Sequence, residues 1–227
     1  LGHEFVGVVE QAQNNYLIGK RVVGEINCVC HQCRFCDMEM PHHCINRTVV
    51  GIYNRPGVFS EYAALPEENL HIVPDTVPDN VAVFTEPLAA AFRITEQIDI
   101  TPEDRIIVLG DGKLGQLVSQ TLRLYSRHIL CVGRHAAKMK MLSLFDIPAV
   151  PAGSDVEGNA DIVVDATGKP EGLHQALSLV RPEGTIVLKT TSAEPLALES
   201  SLVVVNEVRI LGSRCGPFRP AIEALAM

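Results

Sequence analysis

A chain of 227 residues, 47% hydrophobic and 20% charged, has an ordinary globular balance and length enough for one large or two modest domains. Its net charge of −8 argues against nucleic acid or an anionic membrane as the main partner. No apolar run approaches a membrane span, and seven cysteines with no secretory signal ahead of them fit free or metal-bound thiols in the cytosol.

The chain opens on Gly2-His3-Glu4, ahead of its first β-like run. A catalytic zinc takes three protein ligands and keeps one position open, and His3, Glu4 and Glu86 are candidate donors for such a site. Each also has an ordinary reading, as a satisfied core histidine or a helix-start charge. Neighbours on a regular strand face opposite ways, so His3 and Glu4 can share an ion only where the backbone bends. Short runs follow (FVGVVE, KRVVGEI, TVVGIY, FSEYAAL) with Gly and Pro between them, as an antiparallel barrel or sandwich requires.

Within this β-rich part, CHQCRFCDMEMPHHC places Cys30, Cys33, Cys36 and Cys44 at the spacing C-x2-C-x2-C-x7-C. Four thiolates on one short loop suit a closed, tetrahedral, structural zinc site. A bacterial iron–sulfur motif would have a last gap of three and a following proline, whereas here the gap is seven and Ile45 follows. A disulfide framework is disfavoured by the odd cysteine count. Cys28, Cys131 and Cys215 read as buried, inert thiols.

From Glu86 the character changes. Pro87–Gln97 reads as a helix with proline at its first position, where the missing N–H costs nothing. Then RIIVLG, HILCVG, DIVVDATG, GTIVLKTT and VRILGS read as strands, with helices at Leu114–Tyr125, Ala136–Phe145 and Glu171–Val180. AIEALAM begins a further helix. Continuous Val/Ile/Leu runs are strands buried on both faces, and their alternation with helices predicts a doubly wound parallel sheet in an α/β domain.

RIIVLG runs into Gly110-Asp111-Gly112-Lys113-Leu114-Gly115 and then a helix, the context in which G-x-G-x-x-G marks a dinucleotide site. Gly110 allows the tight turn, Gly112 the approach of a pyrophosphate, and Gly115 close helix–strand packing. The amides of the helix start at Lys113 and Leu114 then face the phosphates. A glycine turn without ligand is the alternative. Asp111, beside a pyrophosphate, is expected to point to solvent. The next strand ends in Gly133-Arg134, with Lys138 one turn on, where an NAD site would carry an acid; the cations suit a 2′-phosphate and favour NADP(H) over NAD(H). A merely solvated helix start is the competing reading of Arg134 and Lys138.

In order, GHEFVGVVE, GKRVVGE, the cysteine tetrad, GVFSEYAALP, TEPLAAAF, VLGDGKLG and NEVRILGSR resemble the zinc-containing medium-chain alcohol dehydrogenases, nearest to the polyol, threonine and glucose branch. The resemblance implies a partial, β-rich, GroES-like catalytic domain over 1–91 with the structural-zinc loop, a Rossmann NAD(P) domain over 92–214, and a return toward the catalytic domain over 215–227. It implies His3 as a catalytic-zinc ligand, Glu4 as a ligand or close partner of one, and Glu86 bound directly or through the metal's water. It implies Cys30, Cys33, Cys36 and Cys44 on the structural zinc, and Gly110, Gly112 and Gly115 cradling the pyrophosphate. The implied reaction is reversible hydride transfer between a nicotinamide and a small alcohol, polyol or carbonyl. The family's cysteine ligand lies upstream of GHE and its last catalytic strands beyond Met227, so the resemblance implies a piece truncated at both ends, binding cofactor weakly and turning over poorly if at all.

Two other readings stay open. One is a non-catalytic NADPH-binding or structural protein that keeps only the structural zinc. The other is a zinc-free quinone reductase-like enzyme, which would normally lack the tetrad and the His3–Glu4 pair. The edge strand VRILGS is a candidate surface for a homodimer or homotetramer.

Overall fold

The computed structural model describes residues 1–192, 194 and 198–227. The chain divides into two compact units, Leu1–Ala89 with Pro217–Met227, and Ala90–Gly216.

The first unit is built from short pieces. Strands β1 (Gly7–Val8), β2 (Arg21–Gly24) and β6 (Leu70–Ile72) form one antiparallel sheet in the order β1-β2-β6. Strands β3 (Asn27–Cys28), β4 (Thr48–Val50) and β5 (Asn54–Arg55) form a second sheet, mixed, with β3 antiparallel and β5 parallel to β4. The loop between β3 and β4 carries the cysteine tetrad and a one-turn helix, α1 (Arg34–Asp37). Helix α2 (Asp79–Ala82) leads to α3 (Thr85–Gln97). The strands are shorter than the apolar runs predict. Residues 1–6 and 59–65 carry no strand; the amides of Val58 and Phe59 instead donate to the carbonyls of Gly2 and Leu1. Pro87 is the third residue of α3 rather than the first. It still lies in the first turn, where its missing N–H leaves no helical bond unmade.

The second unit takes up the rest of α3 and alternates strand and helix: β7 (Arg105–Leu109), α4 (Lys113–Arg123), β8 (His128–Gly133), α5 (Ala136–Leu142), β9 (Ala149–Pro151), β10 (Ala160–Asp165), α6 (Glu171–Leu179), β11 (Val180–Leu188), α7 (Ser200–Val205) and β12 (Arg209–Gly212). The six strands are all parallel, in the order β12-β11-β10-β7-β8-β9. Because side chains alternate across a strand, Ile106 and Val108 of β7 join one core with Val118 and Leu122 of α4. Ile107 and Leu109 join the opposite core with Leu173 and Leu177 of α6. All four β7 residues are at most 1% exposed, the two-sided burial that a continuous apolar run encodes. Val180 begins β11 instead of ending α6, since Pro182 disfavours helical geometry at Arg181 before it. Strand β9 and helix α7 are additions to the predicted set. Helix α8 (Phe218–Leu225) belongs to the first unit, where Phe218 meets the edge of His71 at 5.3 Å between ring centroids.

The chain leaves β7 toward β8 and β9, then returns past β7 to β10. The order therefore reverses between β7 and β10, and ligands of open parallel sheets bind at the strands' carboxyl ends beside such a reversal. Among the described residues no helix is long and apolar enough to cross a membrane.

Candidate metal and cofactor sites

The four loop cysteines converge, with ligand atoms within 4.8 Å of one another. Cys33 and Cys36 sulfurs lie 3.6 Å apart, and those of Cys30 and Cys44 lie 3.5 Å apart. A disulfide needs about 2.05 Å, and all seven cysteines are free. Sulfurs at about 2.3 Å from a tetrahedral ion stand about 3.8 Å apart, so the cluster has the size of a four-thiolate zinc site. Local geometry brings this about. His31 and Glu39 take positive φ (both 56°), folding the loop back so that residues up to fourteen apart in sequence meet.

The electrostatics of the four thiols are divided. The amides of Cys36 and then Ile45 hold the Cys33 thiol down at about 6, and the Gln32 amide lowers Cys30. Burial pushes Cys44 up to about 11. Four thiolates so close coexist only around a cation, so these residues fit zinc in chemistry as well as in spacing.

His3, Glu4 and Glu86 form a second cluster, again with donor atoms within 4.8 Å of one another. Glu86 sits in the first turn of α3; His3 and Glu4 lie on the irregular segment before β1, after Gly2 at φ 88°. That departure from regular strand lets adjacent side chains reach one place, as the sequence reading required. One imidazole and two carboxylates, none fully buried, are the oxygen and nitrogen donors that an open catalytic zinc takes.

The glycine loop closes β7 against α4. Gly110 adopts φ 107°, open to glycine and little else, and a β-carbon there would lie 2.6 Å from the Ala166 carbonyl oxygen. A β-carbon at Gly115 would lie 2.0 Å from the Gly110 carbonyl oxygen, so α4 passes the strand end at a distance only glycine permits. Gly112 caps α4, and the space a β-carbon would enter there is open. Lys113 and Leu114 begin the helix, with their amides at its free N-terminus. This is a cradle that fits a pyrophosphate. Arg134, His135 and Lys138 are all exposed at the turn from β8 into α5.

Asp111 does not point to solvent, contrary to expectation. Its side chain is 5% exposed and turned to the end of β8. There Oδ2 accepts hydrogen bonds from the amides of Arg134 (3.0 Å) and His135 (2.6 Å), and Oδ1 lies 3.0 Å from His135 Nδ1. Burial alone would raise this carboxyl; the His135 ring and the two amides outweigh it and hold the group below the usual aspartate value.

Two further polar groups at the strand ends were not legible in the sequence. Asp165, at the end of β10, accepts from Thr167 Oγ1 (2.7 Å) and Thr190 Oγ1 (3.0 Å), tying the turns after β10 and β11 together. Lys189 is 9% exposed, and its ammonium donates to Ser213 Oγ and to the carbonyls of Ala90 and Arg214. Nothing in a local window distinguishes these residues from surface polar ones.

Residues 1–75 match the family model for the alcohol dehydrogenase GroES-like domain, and residues 114–227 that for zinc-binding dehydrogenase. The L-threonine 3-dehydrogenase of Anaeromyxobacter sp. (strain K) is 27% identical over 227 residues, covering 93% of this chain. The chain spans 65% of that relative's length. Among solved structures, a Sinorhizobium meliloti 1021 protein bound to NADP is similar at TM-score 0.90 and 27% identity, over 100% of this chain and 72% of that one. An alcohol dehydrogenase (rspB) from Escherichia coli CFT073 complexed with NADH is similar at TM-score 0.90 and 26% identity, with the same coverage.

Proposed function

The chain belongs to the zinc-containing medium-chain alcohol dehydrogenase family, and from that premise we propose that it is the core of an NADP(H)-preferring dehydrogenase acting on a small alcohol, polyol or the matching carbonyl. The observation that carries the reading is the presence, in one chain, of an open three-donor cluster and a glycine cradle at a helix N-terminus.

In this reading residues 1–91 and 215–227 serve the catalytic lobe, and 92–214 the cofactor domain. Cys30, Cys33, Cys36 and Cys44 hold a structural zinc that fixes the loop. His3, Glu4 and Glu86 hold a catalytic zinc, Glu86 directly or through water. Zinc and a nicotinamide dinucleotide bound at these places would supply Lewis-acid polarisation of the substrate oxygen and the acceptor or donor of the hydride. The residues themselves bind and orient. Gly110 and Gly115 keep α4 against the strand end, and the amides at Gly112, Lys113 and Leu114 take the pyrophosphate. Gly133 ends β8 against the Asp111 side chain, and Arg134 and Lys138 read the adenosine 2′-phosphate.

NADP(H) is the finer part of the assignment, since similar structures carry NADP in one case and NADH in another. Its support is the replacement of an acid by Arg134 after β8. The edge strand β12 supports a homodimer or homotetramer, and cysteines that are free or gathered for a metal rather than paired in disulfides support the cytosol.

The test is to load the protein with zinc and follow the absorbance of reduced nicotinamide with NADP⁺ or NAD⁺ and a panel of polyols, L-threonine and simple alcohols. Substrate-dependent reduction that is lost in His3→Ala supports the reading. Cofactor binding with no reduction by any substrate would leave a dinucleotide-binding protein with a structural zinc.

A further inference from the structure

Asp111 is an anomaly in a pyrophosphate cradle, because it puts an anion between the two glycines that should face one. The geometry gives it another task. Its carboxylate crosses from the loop after β7 to the end of β8, where an NAD site would hold its ribose-gripping acid. Here those oxygens are taken by the chain's own donors, the amides of Arg134 and His135 and the His135 ring. Gly133 leaves the room, since a β-carbon there would lie 2.6 Å from Asp111 Cβ.

The consequence falls on the turn. With both amides and Nδ1–H bound to a buried carboxylate, the backbone at Arg134 and His135 is held, and it is the imidazolium form of the ring that presents its second donor, Nε2–H, to an anionic ligand. The His135 side chain is 58% exposed, beside Arg134 and one turn before Lys138. The Lys138 carbonyl is in turn held by Gln116 Nε2 of α4 at 2.9 Å, so the start of α5 is tied to the helix whose N-terminus faces the pyrophosphate.

We propose that Asp111 is a positioning residue for cofactor choice, clamping the turn after β8 so that Arg134 and His135 together meet the 2′-phosphate of NADP(H). This rests on the reading of Arg134 as a 2′-phosphate partner. Asp111 touches no cofactor atom in this scheme; His135 does.

The test compares Kd values for NADPH and NADH, by nicotinamide fluorescence, in the full chain and in Asp111→Asn, His135→Ala and Arg134→Ala. Losing a positioned, charge-assisted hydrogen bond should lower the preference for NADPH by about tenfold in Asp111→Asn. His135→Ala should lower it in the same direction. The effect of Arg134→Ala should shrink when Asp111→Asn is already present, because an unclamped Arg134 has less to lose. A merely structural Asp111 would weaken both nucleotides alike and leave the ratio unmoved. If Asp111→Asn fails to fold, the exposed His135→Ala decides alone. An unchanged or increased preference in Asp111→Asn and His135→Ala, with a fall in Arg134→Ala, overturns the clamp and spares the parent reading. An unchanged preference in Arg134→Ala, or no binding of either nucleotide, overturns both.

Discussion

Gly133 and Asp111 share one space: a β-carbon at 133 would stand 2.6 Å from Asp111 Cβ and 2.8 Å from its Cγ. The strand end is glycine because the loop side chain fills the volume beside it. Gly133→Ala should therefore overpack the turn and destabilise the protein by about 1–3 kcal/mol, read as a fall in the urea midpoint. Asp111→Ala combined with Gly133→Ala should be less destabilised than the sum of the single variants. Strict additivity would show that the two side chains do not compete.

The clamp has a pH signature. Asp111 is held below its ordinary value by His135 and the amides of His135 and Arg134, despite burial that works the other way. A carboxyl depressed in the folded state contributes stability that is present above its unfolded value of about 3.9 and is lost as pH falls through the folded value. The urea midpoint should therefore fall as pH drops below about 5, and fall less in Asp111→Asn. Asp161, lowered against burial by Arg181 and the Arg105 amide, keeps the variant's slope from vanishing. Parallel profiles in the two proteins would remove Asp111 from the acid response.

Cys33→Ser should cost the protein one zinc by elemental analysis. The sulfurs of the tetrad sit at 3.5–3.6 Å in pairs, and removing one opens a closed site. The second unit contains none of these residues, so NADPH binding should survive the substitution. Unchanged metal content would refute the four-thiolate assignment.

His3→Ala with Glu86→Ala addresses the other cluster. Its three donors offer no thiolate, so the ion should be held more weakly than in the tetrad. Dialysis against a mild chelator should strip one zinc first, and the double variant should lack that labile fraction from the start. A labile zinc that persists in the variant would place it elsewhere.

Much of the architecture was legible because it is written locally. The run RIIVLG, apolar at every position that must be buried on both faces, announces a central parallel strand. The C-x2-C-x2-C-x7-C spacing announces its site because the loop alone brings the sulfurs together. Gly110 and Gly115 are needed for contacts only a few residues away. Where a local rule had a competitor the outcome differs: Pro182 moves Val180 out of α6, FVGVVE forms strand only at Gly7–Val8, and FSEYAAL forms none.

By itself, then, the sequence determined the alternation of elements, the tetrad, the glycine cradle and the candidacy of His3, Glu4 and Glu86. Only the tertiary structure decided that those three donors lie within 4.8 Å and that Asp111 turns inward rather than to water. The same holds for Lys189 and Asp165, which join the ends of separate strands. The physical reason is common to all of them. A polar side chain's partner is chosen by which strand ends the sheet order places side by side, and that order reverses between β7 and β10, where no local window of sequence reaches.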